Sequence, residues 1–544
     1  MNRRLFVFSL FILGIATALC QGDSINATAA SSSSFDYAKA LSLSFLFYDA
    51  QRSGALPPSN TIPYRGNSFL NDCTGAMSGG FFDAGDHLKL LFPMSTAFTF
   101  LGLAAIEFPD AFQKSGQLQN LQDTMRWAGD ILIKAHVSPF SFIGQVGDPG
   151  PDHSYWGRPE DYSGARPCFT WDMSNGQYAS DLAGAAASAL AAVALVFQTV
   201  DPHYADLALS HAKQLYKAAS TYEGKYSTTY SSVTYVYSSA TFRDDLALAA
   251  TMLWMATGDD LYVQQAKLQR TKSDFQQSSF LNWDSVGVLS AILLQCRGES
   301  TPDTTANINQ FLSDWENCNS NGFTKTPQGL CYPSLGGWGN LRHATTAAFG
   351  ALLVANCNNN NNNSTSKAVA FAQSQVNYAL GSSGRSFVIG FGKSPPAHAH
   401  HRAASCPNRP ASCGWPNYQD ANPNPQVLYG ALVGGPAGPS DAYDDSRQDF
   451  HQNEVALDFN AGYTGALAGL IHFQSQKINS SSGSGTTPAP VAAVNPVPVA
   501  SPSSPTCTDT LPAGTLFSCQ QQAAWGKCSL PWMRDTCNKS CGRC

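Results

Sequence analysis

Residues 182–197 read LAGAAASALAAVALVF, a long apolar run in the interior of the chain. The run is shorter than the roughly 20 residues that a membrane span requires, and it is rich in alanine. Small side chains allow a helix to approach its neighbours closely on every side. We therefore interpret this run as a tightly packed core helix, which predicts a large helical domain around it and no membrane partner.

Helix-period patterns dominate the region around this run. Apolar residues recur three and four positions apart, whereas the alternation that is typical of strands is scarce. The predicted helices are Phe35–Arg52, His87–Glu107, Leu118–Ala135, Asp181–Thr199, Asp244–Thr257, Leu341–Asn356, Lys367–Leu380 and Tyr463–Gln474. Many helices in one large domain predict an all-α fold, either a bundle or a helical toroid, and the periodicity does not choose between them.

The composition and the N-terminus predict a secreted, extracellular protein. The 544 residues carry a net charge of −6 and only 13% are charged, which excludes the basic footprint of a nucleic-acid partner. Arg3 and Arg4 precede the apolar run LFVFSLFILGIATAL, so residues 1–20 are predicted to be a signal peptide. We expect the mature protein to be a monomer.

The C-terminal part has a different composition from the helical region. Residues 479–505 are rich in Ser, Pro and Gly and predict a flexible linker. Residues 507–544 hold six cysteines and are too short to fold on hydrophobic burial alone, so we expect three disulfides there. Eight further cysteines lie in the helical region, and their pairing cannot be read from the sequence.

Two aspartates, Asp83 and Asp86, lie three residues apart in the otherwise apolar stretch GGFFDAGDHLKLLFP, residues 79–93. Carboxylates in such surroundings are costly unless they are hydrogen-bonded, paired or used in chemistry. The simplest interpretation is structural, because Asp86 immediately precedes a predicted helix and would be a suitable N-cap. Catalysis is the alternative, and two further tracts of the chain help to decide between these interpretations.

A second acidic tract, DAYDDSRQDFHQNEVALDFNAG, covers residues 441–462. Glu454 is followed by Val455, Ala456 and Leu457, an environment that can raise its pKa and keep it protonated. The alternatives are an ordinary surface glutamate or a calcium ligand, although the spacing lacks the EF-hand pattern. Glycoside hydrolysis usually needs two carboxyl groups, of which one protonates the leaving oxygen and the other activates water or attacks carbon, and this tract would supply the second of them.

A third tract, GRSFVIGFGKSPPAHAHHRAASCP, contains His398, His400, His401 and Arg402. Histidines at this density are compatible with a zinc site. The alternative is a polar loop that hydrogen-bonds sugar hydroxyls, in which Arg402 offers a fixed fork of donors.

Taken in order, these tracts resemble the motif blocks of glycoside hydrolase family 9, the inverting endoglucanases. The matching stretches include GGFFDAGDHLKL, GQVGDPGPDHSYWGRPED, YPSLGGWGNLRHATTAAF and DDSRQDFHQNEVALDFNAGYTGALAGL. The resemblance implies a catalytic domain over residues 35–478 with an (α/α)6 barrel fold. It also implies that Asp86 is the general base, that Asp83 assists it in holding the water, and that Glu454 is the general acid. The sugar-contacting residues that it implies are His153, Trp156, Trp338, His400 and Arg402.

A calcium site known in part of that family would map to Asp244, Asp245 and Asp284. N-capping of the following helix is the competing role for the first two. The chemistry itself requires no cofactor, and structural calcium is the one metal that the resemblance raises.

The cysteine-rich tail is similar to the ShK toxin-like (ShKT) domain. Members of that family would pair Cys507–Cys544, Cys519–Cys537 and Cys528–Cys541. Arg534 and Asp535 replace the toxin's Lys-Tyr pair, so channel blockade is not implied. We expect an accessory module that binds a protein or the cell wall.

The resemblance implies an endo-β-1,4-glucanase that cleaves cellulose or a related β-glucan with inversion. An exo-acting or mixed-linkage glucanase is the alternative among enzymes. A catalytically silent glycan-binding matrix protein is the alternative from another class.

Overall fold

The computed structural model describes residues 35–319, 322–357 and 362–481. The chain divides into two units between Ser481 and Ser482. The predicted signal peptide (1–20) and six-cysteine module (507–544) lie outside the described residues, as does the predicted linker beyond residue 481. Those three assignments remain predictions.

The described residues contain twelve helices of ten or more residues, which follow one another around a ring. They are α1 (Tyr37–Gln51), α2 (Leu91–Glu107), α3 (Leu118–Ala135), α4 (Ser180–Phe197), α5 (Pro202–Thr221), α6 (Arg243–Thr257), α7 (Asp260–Arg270), α8 (Gly287–Cys296), α9 (Pro302–Asn317), α10 (Asn340–Cys357), α11 (Asn362–Asn377) and α12 (Leu457–Ser481). The even-numbered helices pack each on the next, and α12 packs back on α2. The odd-numbered helices cover this inner ring from outside, so the architecture is the (α/α)6 barrel that was predicted.

The inner helices are apolar because they are covered on all sides. In α4, all but two of the positions from Ser180 to Phe197 are buried. Among the described residues, α4 is the one helix whose length and composition would suit a membrane span, and 89% of that window is buried inside the protein. The core-helix interpretation of this run agrees with its position in the barrel.

Several outer helices start at side-chain caps that the sequence supplies. Asp36 accepts a hydrogen bond from the backbone N–H of Lys39 (2.8 Å), and Thr301 and Thr304 form a reciprocal capping box at the start of α9. The sequence interpretation did not name four of the helices: α5, α7, α8 and α9. In α8 the reason is physical, because a ten-residue apolar segment with no polar face has no helical period to detect.

A small antiparallel sheet, also not predicted, lies beside the barrel. Its strands are β1 (Lys89–Leu90), β2 (His136–Ser138), β3 (Ser141–Val146) and β4 (Cys168–Asp172). β3 is paired with all three other strands, and Lys89 is opposite Val146. This register brings the residues before β1, which include the DAGD motif, close to the segment after β3, which contains His153. A separate hairpin is formed by β5 (Phe323–Lys325) and β6 (Cys331–Pro333).

The eight cysteines of the described region form four disulfides. The pairs are Cys73–Cys168, Cys296–Cys357, Cys318–Cys331 and Cys406–Cys413. The disulfides that the even cysteine count predicted are therefore present in this region.

Candidate active site

The two aspartates of the DAGD motif lie on a tight turn and not at the start of a helix. The backbone N–H of Asp83 donates to Leu88 O (3.0 Å), and Oδ1 of Asp86 accepts from the backbone N–H of Leu88 (3.1 Å). Helix α2 begins only at Leu91. The predicted helix start at His87 is therefore wrong, and so is the N-cap role of Asp86, because β1 separates the turn from the helix.

Gly85 allows a second loop to contact this turn. A Cβ at this position would lie 2.2 Å from the carbonyl oxygen of His400, which no larger residue could accommodate. The carbonyl of Gly85 accepts a hydrogen bond from the backbone N–H of Arg402 (3.0 Å). The glycine between the two aspartates thus brings the His400–Arg402 loop against the DAGD turn.

Asp86 is surrounded by donors and positive charge. Nε2 of His153 lies 3.2 Å from Oδ2 of Asp86. Burial acts to raise the pKa of Asp86, but the hydrogen bond with His153 and the charge of Arg402 outweigh it, and the pKa is lowered. The hydrogen bond with Asp86 in turn raises the pKa of His153. Asp86 is therefore a carboxylate, the form that can accept a proton.

Asp152 holds Arg402 in place and was not identified from the sequence. Its Oδ2 accepts from Nη1 of Arg402 (2.6 Å), and its exposed fraction is 1%. Nε2 of His153 lies 3.9 Å from the same oxygen. The only signal in the sequence was the position of Asp152 next to His153 in the PDHSYW motif, and an acidic neighbour alone does not indicate a partner 250 residues away.

Asp83 differs from Asp86 in its protonation. It is buried, and the hydroxyl of Tyr237 donates to its Oδ2 (2.7 Å). Burial raises the pKa of Asp83 well above its usual value, and the nearby carboxylates of Asp86 and Asp458 raise it further. Two close carboxyl groups cannot both ionise at low cost, so the surroundings favour the charge on Asp86 and the proton on Asp83.

Glu454 follows the short helix Phe450–Asn453 and lies shortly before α12, which begins at Leu457. The backbone N–H of Leu457 donates to the carbonyl of Asp83 (3.0 Å), which ties this segment to the DAGD turn. Burial raises the pKa of Glu454 to about 7, against the lowering effect of a hydrogen bond from Trp338. Glu454 thus has the raised pKa that its apolar sequence neighbours indicated, and it is suited to donate a proton.

Two side chains on the Glu454 side of the site were also missed. Nη1 of Arg342 donates to Oδ2 of the buried Asp458 (3.0 Å), and Arg342 faces the same cavity as Glu454. Both residues lie within motifs that the sequence singled out. Their pairing across 116 positions is set by the packing of α10 on α12.

A cavity of about 510 Å³ brings the predicted residues together. Its walls include all eight predicted catalytic and sugar-contacting residues: Asp83, Asp86, His153, Trp156, Trp338, His400, Arg402 and Glu454. Aromatic side chains that were not predicted extend the walls on both sides, namely Tyr237, Trp283, Trp415, Tyr418 and Phe450. Carboxyl groups whose pKa values are shifted in opposite directions therefore face one aromatic-lined cleft.

The aromatic side chains differ in how much of their surface is available. Trp156 is 3% exposed, and its indole N–H donates to the hydroxyl of Ser405 (2.8 Å). Trp415 lies against it with ring centroids 5.9 Å apart and is 43% exposed. The free ring surface on this side of the cleft therefore belongs mainly to Trp415, whereas Trp156 supports it from behind.

The three histidines of the third tract do not form a zinc site. Nε2 of His398 lies 3.1 Å from Ala421 O, Nδ1 of His400 lies 2.8 Å from Arg447 O, and Nε2 of His401 lies 2.8 Å from Oε1 of Gln51. Within the described ranges, the one group of three side chains placed to hold a metal ion is Asp86, Asp152 and His153. Burial lowers the pKa of His400 to about 4, so this imidazole faces the cleft in its neutral form.

Two residues of the predicted calcium site, Asp244 and Asp245, are buried at the start of α6, and the third, Asp284, is half-buried in the segment before α8. Oδ2 of Asp244 accepts from the backbone N–H of Val286 (2.9 Å), and Oδ1 of Asp284 accepts from that of Ala240 (2.8 Å). Asp244 therefore accepts a hydrogen bond from the residue that precedes α8, and it does not cap its own helix, α6. Oδ1 of Asp244 has no hydrogen-bond partner, which suits a hard cation, yet oxygens of Asp244, Asp245 and Asp284 do not gather within 4.8 Å of one another. The calcium site remains a prediction.

Comparison with known proteins gives a consistent result. Residues 37–467 match the family model of glycosyl hydrolase family 9. The chain is similar to Endoglucanase B of Cellulomonas fimi, at 38% identity over 463 residues, which is 81% of this chain and 43% of that protein. It spans 43%, 66% and 62% of the length of the first three curated relatives that it matches.

This chain aligns with nearly the whole length of two solved structures. An endoglucanase from the termite Nasutitermes takasagoensis has 42% identity and a TM-score of 0.76, over 81% of this chain and 100% of that one. The cellulase Cel9M of C. cellulolyticum, solved in complex with cellobiose, has 32% identity and a TM-score of 0.73, over 81% and 99%.

Proposed function

The chain belongs to glycosyl hydrolase family 9, and from this premise we propose that it is an endo-β-1,4-glucanase that hydrolyses cellulose or a related β-glucan with inversion at the anomeric carbon. Asp86 is the general base, Asp83 assists it, and Glu454 is the general acid.

One observation carries this proposal: two carboxyl groups that face the same cavity have pKa shifts in opposite directions. The pKa of Asp86 is lowered, and that of Glu454 is raised to about 7. Pairs of titratable groups whose surroundings separate their pKa values mark the base and the acid of a hydrolytic site. Glycoside hydrolysis by inversion needs one carboxyl group in each state.

The proposed reaction moves two protons. Asp86 accepts a proton from a water molecule while the oxygen of that water bonds to the anomeric carbon. The bond from that carbon to the glycosidic oxygen breaks, and Glu454 gives its proton to this departing oxygen. Asp83, neutral and held by Tyr237, lies next to Asp86 and helps to orient the water. His153 and Arg402 keep Asp86 ionised until it accepts the proton.

The cleft supports a β-1,4-glucan as substrate. Pyranose rings have apolar C–H faces that suit aromatic side chains, and Trp338 and Trp415 expose ring surface beside the carboxyl groups. The named relatives are endoglucanases, and one structural neighbour was solved with cellobiose.

The test compares the mature protein with its Glu454→Gln variant on soluble carboxymethylcellulose, following viscosity and the release of reducing ends. We expect a fast fall in viscosity that the variant loses by a factor on the order of 10²–10⁴. Inversion is checked by proton NMR of the first product, which should be the α-anomer. Unchanged activity in the variant would refute the assignment of the acid.

The same measurements separate the alternatives. Slow viscosity loss with steady release of short sugars would indicate exo action, and preference for a mixed-linkage glucan would change the substrate. Binding of cello-oligosaccharides without any hydrolysis would favour a silent glycan-binding protein. The ionised base and protonated acid in one cleft favour the enzyme.

We propose a secreted, monomeric protein whose residues 507–544 bind a protein or the cell wall. Calcium at Asp244, Asp245 and Asp284 would stabilise the starts of two inner helices and take no part in the chemistry. A fall in melting temperature on adding a chelator, restored by calcium, would test that site.

A further inference from the structure

Trp338 contacts the acid directly. Its indole Nε1 lies 2.7 Å from Oε2 of Glu454, a short distance for a hydrogen bond from a neutral donor. The tryptophan lies in the turn that leads into α10, directly before Gly339, whose φ is +66°. A Cβ on Gly339 would lie 2.6 Å from the ring of Phe459, so the backbone here is adapted to hold Trp338 close to the start of α12.

The indole N–H is a donor and cannot accept a hydrogen bond. Oε2 of Glu454 must therefore be the acceptor in this pair, whether Glu454 is neutral or charged. When Glu454 is neutral, its carbonyl oxygen is the better acceptor, so this contact favours Oε2 as the carbonyl oxygen and the proton on Oε1. Trp338 thus distinguishes the two carboxyl oxygens, which an isolated carboxyl group does not do.

The strength of this hydrogen bond changes during the reaction. Hydrogen bonds to a charged acceptor are roughly twice as strong as those between neutral groups. Glu454 is neutral before bond cleavage and becomes a carboxylate as it releases its proton. The contact with Trp338 is therefore stronger at the transition state than in the resting enzyme, and only interactions of that kind accelerate a reaction.

We propose that Trp338 positions the acid: its indole N–H holds Oε2 of Glu454 so that the proton leaves from Oε1, and it stabilises the carboxylate that forms when the glycosidic oxygen takes that proton. This inference rests on the proposed function of Glu454. It assigns Trp338 a role in proton transfer in addition to the sugar contact that was predicted from its motif.

Other groups that act on Glu454 do not replace this contact. Asp86 and Asp458 are acidic and oppose its ionisation, and the hydroxyl of Tyr237 donates to Asp83 and not to Glu454. Arg342 favours ionisation, but its hydrogen bond goes to Asp458. Within the part of the chain that the structure describes, Trp338 is the one side chain that donates a hydrogen bond to the carboxyl group of Glu454.

The experiment uses Trp338→Phe, which keeps an aromatic face and removes the donor. The substrates are cellotetraose, whose leaving sugar needs protonation, and β-cellobiosyl fluoride, whose leaving group needs little help. We expect kcat on cellotetraose to fall by a factor on the order of 10 to 100, while kcat on the fluoride changes less than about threefold. Loss of the donor makes Glu454 a weaker acid, so the alkaline limb of the kcat/KM profile on cellotetraose moves to higher pH.

Trp415→Phe is the matched control, because it removes another indole N–H of the same cleft, one that donates to Ser154 O (3.2 Å). This change should alter KM on cellotetraose and leave the ratio of the two kcat values and the alkaline limb unchanged. Activity of Trp338→Phe on the fluoride also reports that the variant is folded.

Three results would overturn the inference. These are an unchanged kcat on cellotetraose in Trp338→Phe, an equal loss on both substrates, and an alkaline limb that does not move. If the unmodified protein hydrolyses neither substrate, the proposed function itself fails, and that outcome is distinct from the other three.

Discussion

Asp86 and Glu454 are carboxyl groups that face the same cleft, and the residues around them differ in kind. Asp86 lies among a histidine, an arginine and a backbone N–H, whereas Glu454 lies beside Val455 and accepts the indole N–H of a neutral tryptophan. Burial acts on both, yet it prevails only at Glu454. Nearby positive charge, more than burial, therefore distinguishes the proposed base from the proposed acid.

The supporting residues of the two regions also differ in how they are held. On the Asp86 side, Asp152 fixes Arg402 through a buried ion pair. On the Glu454 side, Arg342 acts to lower the pKa of Glu454, and its Nη1 donates to Asp458. Each region therefore contains an arginine paired with an aspartate, but of the two carboxyl groups only that of Asp86 has a lowered pKa.

The strongest test of this comparison removes the base. Asp86→Asn keeps the shape of the side chain and abolishes the carboxylate, so we expect kcat on soluble glucan to fall by a factor on the order of 10²–10⁴. Cello-oligosaccharide binding, measured by calorimetry, should remain. A variant that keeps a tenth or more of the activity would show that another group accepts the proton.

The pH profile of the unmodified protein is the second test. Glu454 must be protonated, so kcat/KM should fall as pH rises through about 7, roughly tenfold for each further pH unit. Asp86 must be ionised, and because its pKa is lowered, activity should persist below the usual range of a carboxyl group. A profile with its alkaline limb near pH 5 would contradict the raised pKa of Glu454.

Both of these carboxyl groups could be singled out from the sequence, and the reason is local. Asp83 and Asp86 are conspicuous within an apolar stretch, and Glu454 precedes three apolar residues. The (α/α)6 fold was likewise expected, from periodic helices together with the resemblance of the motif blocks.

The parts that the sequence did not reveal are those that depend on distant contacts. Asp152 and Asp458 lie in motifs that the sequence singled out and Tyr237 does not, but the contacts of all three arise only where distant parts of the chain meet. The start of α2 was placed too early for a related reason. Lys89 and Leu90 pair with β3, which lies more than 50 positions away, and that pairing delays the helix to Leu91.

The third test reduces the positive environment of Asp86. His153→Asn removes the hydrogen bond that lowers the pKa of Asp86, so the acid limb of kcat/KM should move to higher pH. At a pH below both pKa values the loss should approach about tenfold for each unit by which the pKa of Asp86 rises, and it should be smaller near neutrality. His203→Asn, an exposed change at the start of α5, is the control and should leave the limb in place.

A His153→Asn profile that keeps its acid limb would mean that Arg402 and the backbone N–H of Leu88 are sufficient to lower the pKa of Asp86. The alkaline limb should not move in this variant, because Glu454 titrates there. Movement of both limbs together would mean that the two regions are coupled more tightly than their separate neighbours indicate.

The smallest expected effect concerns Asp83. Tyr237→Phe removes the hydroxyl that donates to Oδ2 of Asp83 (2.7 Å), a bond between neutral groups if Asp83 carries a proton. Such a bond contributes about 0.5–1.5 kcal/mol, so kcat should fall by a factor of roughly 2 to 10, without a shift of the acid limb. Tyr235→Phe, at an exposed neighbouring tyrosine, should have no effect. A loss in Tyr237→Phe as large as that in Asp86→Asn would mean that Asp83 is ionised in the working enzyme, and that the charge in this turn is shared between the two aspartates and not confined to Asp86.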